Sequence, residues 1–443
     1  MTATKSHGAA TTANGAHPSK SVVIVGAGPV GMFLALKLGK AGINVTVVER
    51  NVEFSDAPRA CGYYAASALA MHAAGVWDQI RDEGFVIKGL CWRKKPVDDG
   101  EGKGSKKLGS MIAAQPLSEL DDDAMPPGTG ILCLQQSLLT RLFAREALAT
   151  KHVTLLFSRE LMAIEEGESS TTAVTRDTAT GGMHRITADF LVGTDGGRSM
   201  TRKLLRIPFP GHTWPERLLA TNVTVHNTED PVYHCYYLLD PSNFTVITPL
   251  TDPVLGQESL WRYTMAIDPS DPRTDEELLR DETVGKLYEQ VMPGPRPLQY
   301  TIGARSVYRI HQRLASTFRR GRSLLAGDAA HLCNPFGALG LNTGILDAEA
   351  LTEALVMVLH EGRPLAVLDT YSDERRKVFQ FFVDPTSTQN KIRVQSNHED
   401  EAVTNDWYFR LLQNPTADVL RAQAQPYFDV WRTDLRKAAE NVV

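Results

Sequence analysis

The chain has 443 residues, 42% hydrophobic and 22% charged, with a net charge of −5. That composition suits a globular protein with room for two packed cores and argues against a cationic surface for nucleic acid or anionic lipid. Five widely spaced cysteines, Cys61, Cys91, Cys133, Cys235 and Cys333, fit neither a zinc pattern nor a disulfide framework. The expectations are therefore no metal and a reducing, cytoplasmic setting.

Residues 1–20 are small and polar, without an apolar core. They read as a disordered leader rather than a signal peptide. No apolar run reaches the roughly 18 residues of a membrane span, so no stable membrane insertion is expected. Val22, Val23, Ile24 and Val25 form a continuous apolar run, the pattern of a buried parallel strand.

Gly26, Gly28 and Gly31 follow at G-x-G-x-x-G spacing and lead into a helix beginning near Met32. In this pattern the first glycine permits a tight turn, the second lets backbone approach a pyrophosphate, and the third lets helix and strand pack closely. The first turn of the helix aims N–H groups at phosphate. A second apolar strand, Val45–Val48, ends in Glu49 and Arg50. An acid at about this distance holds a ribose 2′-OH and repels a 2′-phosphate. The stretch therefore predicts FAD or NAD rather than NADP, and by itself leaves those two open.

Further along, a polar loop reaches Arg59-Ala60-Cys61-Gly62. A helix over 65–74 closes at Gly75, and Val86–Arg93 reads as one strand. Lys, Asp and Gly dominate 94–110, which suggests a solvated loop or, as the sharper alternative, a flap at a pocket mouth. Pro126-Pro127-Gly128 marks another break. Cys133-Leu134-Gln135-Gln136 opens an amphipathic helix. Short strands follow at 153–158, 161–165, 171–175 and 184–188, with Gly181-Gly182 at a hairpin. Phe190–Thr194 is a buried strand running into Asp195-Gly196-Gly197-Arg198-Ser199.

Between 210 and 310 the stretches 218–225, 232–239, 244–249 and 260–267 alternate and are rich in Tyr, Thr and Val, which predicts an antiparallel sheet. Alternation along Tyr233-His234-Cys235-Tyr236-Tyr237 sets Tyr233 and Tyr237 on one face and Tyr236 on the other. With Arg262, these tyrosines are the candidate substrate-side residues. One acidic helix is expected over 275–291. Then Ser323–Asp328 reads as a strand ending in an acid, and a Gly-rich loop from Pro335 enters a helix over 341–359. A carboxylate for a polyol chain, set beside a helix N-terminus that stabilises an anion, suits flavin better than nicotinamide. Only one G-x-G-x-x-G is present, so any nicotinamide would bind transiently rather than in a second fold of this kind.

These motifs carry a resemblance. In order they are Gly26-Ala27-Gly28-Pro29-Val30-Gly31, then Asp195-Gly196-Gly197-Arg198-Ser199-Met200-Thr201-Arg202, then Gly327-Asp328-Ala329-Ala330-His331 with Pro335, Gly337, Gly340, Asn342, Gly344 and Asp347. Over residues 20–390 the chain resembles the class A flavoprotein monooxygenases, the p-hydroxybenzoate hydroxylase-like family. Asn334 and Ala338 depart from it, standing where many members have proline and glycine.

The resemblance implies an α/β fold: a Rossmann-like FAD-binding domain of that type, an inserted antiparallel substrate domain and C-terminal helices. The implied division is 21–88, 128–205 and 314–395 for FAD, 89–127 and 206–313 for substrate, and 396–443 for the C-terminal helices. The helices have two roles open, packing on the FAD domain or a homodimer contact. It implies that Arg59 and Gln136 contact FAD, that Asp195 and Arg202 lie where pyrophosphate and NAD(P)H bind, and that Asp328 binds ribitol. Pro335 and the Gly340–Leu341–Asn342 backbone would line the isoalloxazine. The implied reaction uses NAD(P)H and O₂, through a C4a-hydroperoxyflavin, to hydroxylate a phenolic small molecule, secondary metabolites included. The same fold leaves open epoxidation, Baeyer–Villiger insertion, dearomatisation, or an FAD reductase that does not activate O₂.

Overall fold

The computed structural model describes residues 20–100, 104–116 and 130–442. The leader (but for Lys20) and the Pro126–Gly128 break lie outside the described residues. Two large sheets organise the rest. The first has the order Val153–Leu156, Asn44–Val48, Ser21–Val25, Phe190–Gly193, Ser323–Leu325 and Arg319–Arg320. Its first five strands pair in parallel and the last antiparallel. Val22 faces Val45 on one side and Phe190 on the other.

Both faces of this sheet are covered, which is why its strands are apolar throughout. Helices Pro29–Lys40 and Gln136–Ala149 lie on one face, with Phe33 and Phe143 ring to ring at 5.0 Å. A three-stranded antiparallel meander, Arg159–Glu166, Thr171–Asp177 and Met183–Ala188, covers the other.

The second sheet has eight strands in the order His331–Leu332, Tyr300–Leu314, Gly211–His226, Glu258–Ile267, Thr245–Pro249, Cys235–Leu238, Gly89–Arg93 and Met111–Pro116. One pairing, Cys235–Leu238 with Gly89–Arg93, is parallel. The outer face buries Leu219, Tyr236, Tyr263 and Met265 under helix Asp281–Val291. The inner face sets Leu218, Tyr237, Ala266 and Ile310 against Phe336 of the Gly-rich loop and against Phe409, Leu412 and Leu420 of the C-terminal segment.

Three expectations need correction. Val86–Arg93 is two strands in different sheets, Phe85–Ile87 and Gly89–Arg93. The chain changes sheet at Gly89, where a Cβ would lie 2.4 Å from the Gln115 carbonyl oxygen. The acidic helix divides at Arg280, whose ψ of 143° is extended. Thr274 and Glu277 form a reciprocal capping box on the first piece, and Asp281 and Glu282 start the second. Finally, Tyr300–Leu314 is a strand of 15 residues that the sequence pattern did not predict. The short C-terminal helices pack on the inner face and on helix Leu339–Leu359, where Trp431 and Leu435 are fully buried. No helix among the described residues is long and apolar enough to cross a membrane.

Candidate active site

Local strain and close packing shape the first loop. Gly26 has φ +104°, and a Cβ there would lie 2.7 Å from the Thr194 carbonyl oxygen. A Cβ on Gly31 would sit 2.1 Å from the Gly26 oxygen. At Gly28 a Cβ would meet nothing within 4 Å. This middle glycine faces open space at a helix start that has Pro29 in its first turn and no side-chain cap. Its N–H groups are free for an anion. Glu49 stands at the rim, Oε2 accepting from Ala27 N and Oε1 from Asn51 N, both at 2.9 Å. Arg50 is exposed beside it. An open backbone cradle with a fixed carboxylate beside it fits the pyrophosphate and ribose of a dinucleotide.

In the second loop the side chains are committed to the fold. Asp195 accepts from the Ser199 hydroxyl, from Thr201 N at 2.9 Å and from Thr201 Oγ1 at 3.1 Å. Arg202 donates to the carbonyls of Ala329 at 2.8 Å and Gly197 at 2.9 Å, and lies 3.7 Å from the Phe209 ring centroid. Together they tie this turn to the next motif. The surface they leave open is backbone, at Gly196, where φ is +76° and a Cβ would meet nothing.

The third motif follows strand Ser323–Leu325. Asp328 is not the strand end but part of a 3₁₀ turn, Gly327–Ala329. Asp328 is an exposed residue, and desolvation by the protein packed around its carboxylate raises its pKa against the pull of His331 and Arg59. Asp347 holds the turn from beneath. It accepts from Gly327 N at 3.0 Å, His331 Nε2 at 2.6 Å and Arg375 Nε at 2.7 Å. Burial alone would raise the Asp347 pKa, but His331 and Arg375 outweigh it and hold the group down at about 2. Arg375 in turn donates to the Trp431 carbonyl at 2.8 Å, which ties the C-terminal segment to the turn.

The loop from Pro335 enters helix Leu339–Leu359, whose N-terminus has no side-chain cap. The N–H groups of Gly340, Leu341 and Asn342 therefore lie in an uncapped first turn. The Asn342 side chain does other work. Its Oδ1 accepts from Tyr64 N at 3.0 Å, and its Nδ2 donates to Gly62 O at 3.0 Å and Ala338 O at 2.7 Å. The two departures from the family pattern now have a structural account. Asn334 Oδ1 accepts from Phe336 N at 3.0 Å and shapes the loop through its side chain. Ala338 adopts φ +54°, a left-handed conformation that costs an alanine more than a glycine.

Backbone bonds Leu134 N to Cys61 O at 2.9 Å and Gln136 N to Ala60 O at 3.1 Å bring Arg59–Cys61 beside the start of the Gln136 helix. Arg59 acts electrostatically on both Asp328 and Tyr308. On the inner face, Arg262 is only 8% exposed, and its Nε donates to Asn222 Oδ1 at 3.0 Å. Tyr308 beside it is pushed up to about 12 by burial, against the pull of Arg262 and Arg59. Tyr237 stacks on Trp92 at 5.8 Å and stands 6.4 Å from Phe336. The exposed Pro335 adjoins that ring.

The structure therefore gathers Arg59, Gln136, Asp328, Pro335, Tyr237 and Arg262 around one region. Tyr236 lies apart, in the outer core with Tyr263. Tyr233 packs against that same outer core, not beside Tyr237 as alternation suggested. The strand begins only at Cys235, so its period of two does not reach back to Tyr233. Sequence reasoning missed Tyr64, Tyr308, Tyr408 and Tyr427. Tyr427 lies 5.4 Å from Tyr64, and Tyr408 lies 5.7 Å from Trp92.

Comparison with known proteins decides the family. A family model described as "FAD binding domain" matches residues 19–386. The chain belongs to this FAD-binding family of class A flavoprotein monooxygenases. It is 35% identical over 390 residues to para-nitrophenol 4-monooxygenase of Pseudomonas sp. (strain WBC-3), covering 88% of this chain and 91% of that one. It is 33% identical over 394 residues to 6-hydroxy-3-succinoylpyridine 3-monooxygenase of Pseudomonas putida (strain DSM 28022 / S16), covering 87% and 91%. The crystal structure of p-nitrophenol 4-monooxygenase from Pseudomonas putida DLL-E4 superposes with a TM-score of 0.80 at 32% identity, covering 92% of this chain and 98% of that one. This flavoprotein monooxygenase is an FAD-dependent enzyme of the aromatic hydroxylase class, whose members use NAD(P)H.

Proposed function

We propose that the enzyme hydroxylates a small phenolic ring held between the inner face of the eight-stranded sheet and the Pro335–Gly340 loop. One observation carries this reading. Arg262 is a nearly buried cation on the one sheet face that meets the loop, and a neighbouring amide fixes it through Nε. A cation so placed stabilises a phenolate over a phenol. Both curated relatives named above act on six-membered aromatic rings that carry a hydroxyl, going by their names.

Bound FAD would supply the hydride-accepting and O₂-activating chemistry that a hydroxylation by NAD(P)H and O₂ needs. In this reading Gly26, Gly28, Gly31 and Glu49 hold its ADP end, with Arg50 at the rim. Asp195 and Arg202 shape the adjoining turn through their internal bonds. Arg59, Gln136 and Asp328 hold the middle of the cofactor. The uncapped N–H groups of Gly340, Leu341 and Asn342 stabilise negative charge at the ring. The Arg262 cation stabilises the phenolate, so the substrate hydroxyl gives its proton to solvent more readily and the ring becomes more electron-rich. Tyr237 orients the substrate, while Trp92 and Phe336 keep water out. Segments 21–88, 128–205 and 314–395 then serve FAD, and 89–127 and 206–313 serve substrate. Tyr408 and Tyr427 add the C-terminal segment to the substrate side.

The test uses purified, FAD-loaded enzyme with NADH or NADPH, a panel of phenols and hydroxypyridines, and ¹⁸O₂. The expected result is one labelled oxygen per product, formed in step with NAD(P)H oxidation. Flavin reduction with no label incorporated anywhere in the panel would favour a reductase instead.

A further inference from the structure

A second cavity lies on the opposite face of the eight-stranded sheet from the flavin-side region. Its volume is about 250 Å³, larger than the ~150 Å³ of a cavity that accepts benzene. Tyr236, Trp261 and Tyr263 line it together with Met292 and Leu298, and most of its surface is apolar. The Trp261 indole is fixed, its Nε1 donating to Asn227 Oδ1 at 3.0 Å. The lysine-rich hairpin that pairs Val97–Asp98 with Lys106–Lys107 borders this cavity, and Leu108 lines it. Lys106 exchanges two backbone hydrogen bonds with Gly294, at 2.6 and 3.1 Å. Leu108 N donates to Glu229 Oε1 at 2.6 Å.

Those bonds also settle the charge of an occupant. Glu229 is engaged by Leu108. Arg296 donates to the carbonyls of Gly294 at 2.7 Å and Met292 at 3.0 Å, and pairs with Glu289 at 2.6 Å. Among the described residues Glu229 is the one charged residue of the lining, and its backbone N–H partner leaves the carboxylate its charge, so an anionic ligand would lose its hydration and meet a like charge. His226 and Gln299, exposed at the rim, offer hydrogen bonds to a neutral polar group.

We propose that this cavity is a second ligand site, for a single-ring aromatic molecule that carries one hydrogen-bonding substituent and no negative charge. The ring packs on Tyr236 and Trp261, and the substituent faces the rim. The site is independent of which phenol the inner face oxidises. It is not isolated from it, because Tyr236 precedes Tyr237 and Trp261 precedes Arg262 on shared strands.

The experiment follows 4-fluorobenzyl alcohol by ¹⁹F NMR as FAD-loaded enzyme is titrated in. Saturable binding is expected, with 4-fluorobenzoate at least tenfold weaker. Leu298→Trp, which fills the cavity, should weaken the alcohol at least tenfold. Arg262→Ala, on the other face, should leave it within about twofold. Absence of saturable binding, equal affinity for the anion, or loss with Arg262→Ala alone would each overturn the proposal. If Leu298→Trp fails to fold, a crystal of the unaltered enzyme soaked in the alcohol decides. Density against Trp261 supports the site, and density only on the flavin side removes it.

Discussion

On the outer face of the eight-stranded sheet, rings pack on rings. Tyr263 meets Tyr288 at 5.7 Å, Tyr288 meets Tyr300 at 5.1 Å, and the Tyr288 hydroxyl donates to Thr221 Oγ1 at 2.6 Å. On the inner face, one residue along the same strands, Arg262 donates to Asn222, Tyr308 feels the charges of Arg262 and Arg59, and Tyr237 stands against the flavin loop. Two tyrosines adjacent in sequence, Tyr236 and Tyr237, thus belong to different tasks. Period-two alternation sorts residues into two faces, but what packs on each face decides which one does chemistry. Helix Asp281–Val291 covers much of one face and leaves only the apolar cavity beside Trp261 open. The Pro335 loop and the C-terminal segment leave a charged, phenol-rich region on the other.

The largest test of this division is Tyr263→Ala. Removing a buried ring from the outer core should cost about 3–5 kcal/mol of stability, read by denaturant unfolding. The folded fraction should keep its kcat/KM within a few-fold, and a much larger kinetic loss would break the distinction between the faces. Arg262→Ala should do the reverse. Loss of a charge-assisted contact of about 2–3 kcal/mol corresponds to roughly 30–150-fold in kcat/KM. FAD affinity should not move, and an equal loss in Tyr236→Phe would count against the assignment.

The two sides should also separate in acid. Asp347 has a folded pKa of about 2, below its ordinary value of 3.8. The stability it contributes is therefore present above the ordinary value and is lost as pH falls toward 2. The amount is about 2 kcal/mol. Because Asp347 supports the Gly327–Ala329 turn, FAD release should precede loss of tyrosine packing as pH drops from about 5 to 2. Asp347→Asn should lose that pH dependence. Simultaneous loss of both signals in the unaltered enzyme would argue against separate supports. The smallest effect concerns strain that only the inner side carries. Ala338→Gly should stabilise the enzyme by about 1 kcal/mol, since glycine adopts the left-handed conformation freely. An unchanged melting temperature would show that the loop already absorbs the strain.

The cofactor half was readable because each of its signals is local. Gly26 and Gly31 are required by contacts within a few residues or with the adjoining strand, and G-x-G-x-x-G records those contacts directly. Asp328 was found with its turn, although not the 3₁₀ geometry that exposes it. The substrate half was harder. Tyr300–Leu314 escaped because Arg305, Arg309 and Arg313 interrupt its apolar pattern, and much of the strand is partly exposed. Tyr233 was assigned to a strand that starts two residues later.

Residues 20–48, 190–202 and 323–347 are specified by rules that act over one turn or one strand, so the sequence alone determined the FAD-binding fold and the family. Tyr64 and Tyr427 come together across most of the chain, and strand pairing and a loop bring the charges of Arg262 and Arg59 to bear on Tyr308. Tertiary packing alone made these contacts, since no short-range spacing encodes which distant segments share a face. It also decided that Tyr237 looks toward the flavin loop while Tyr236 looks away.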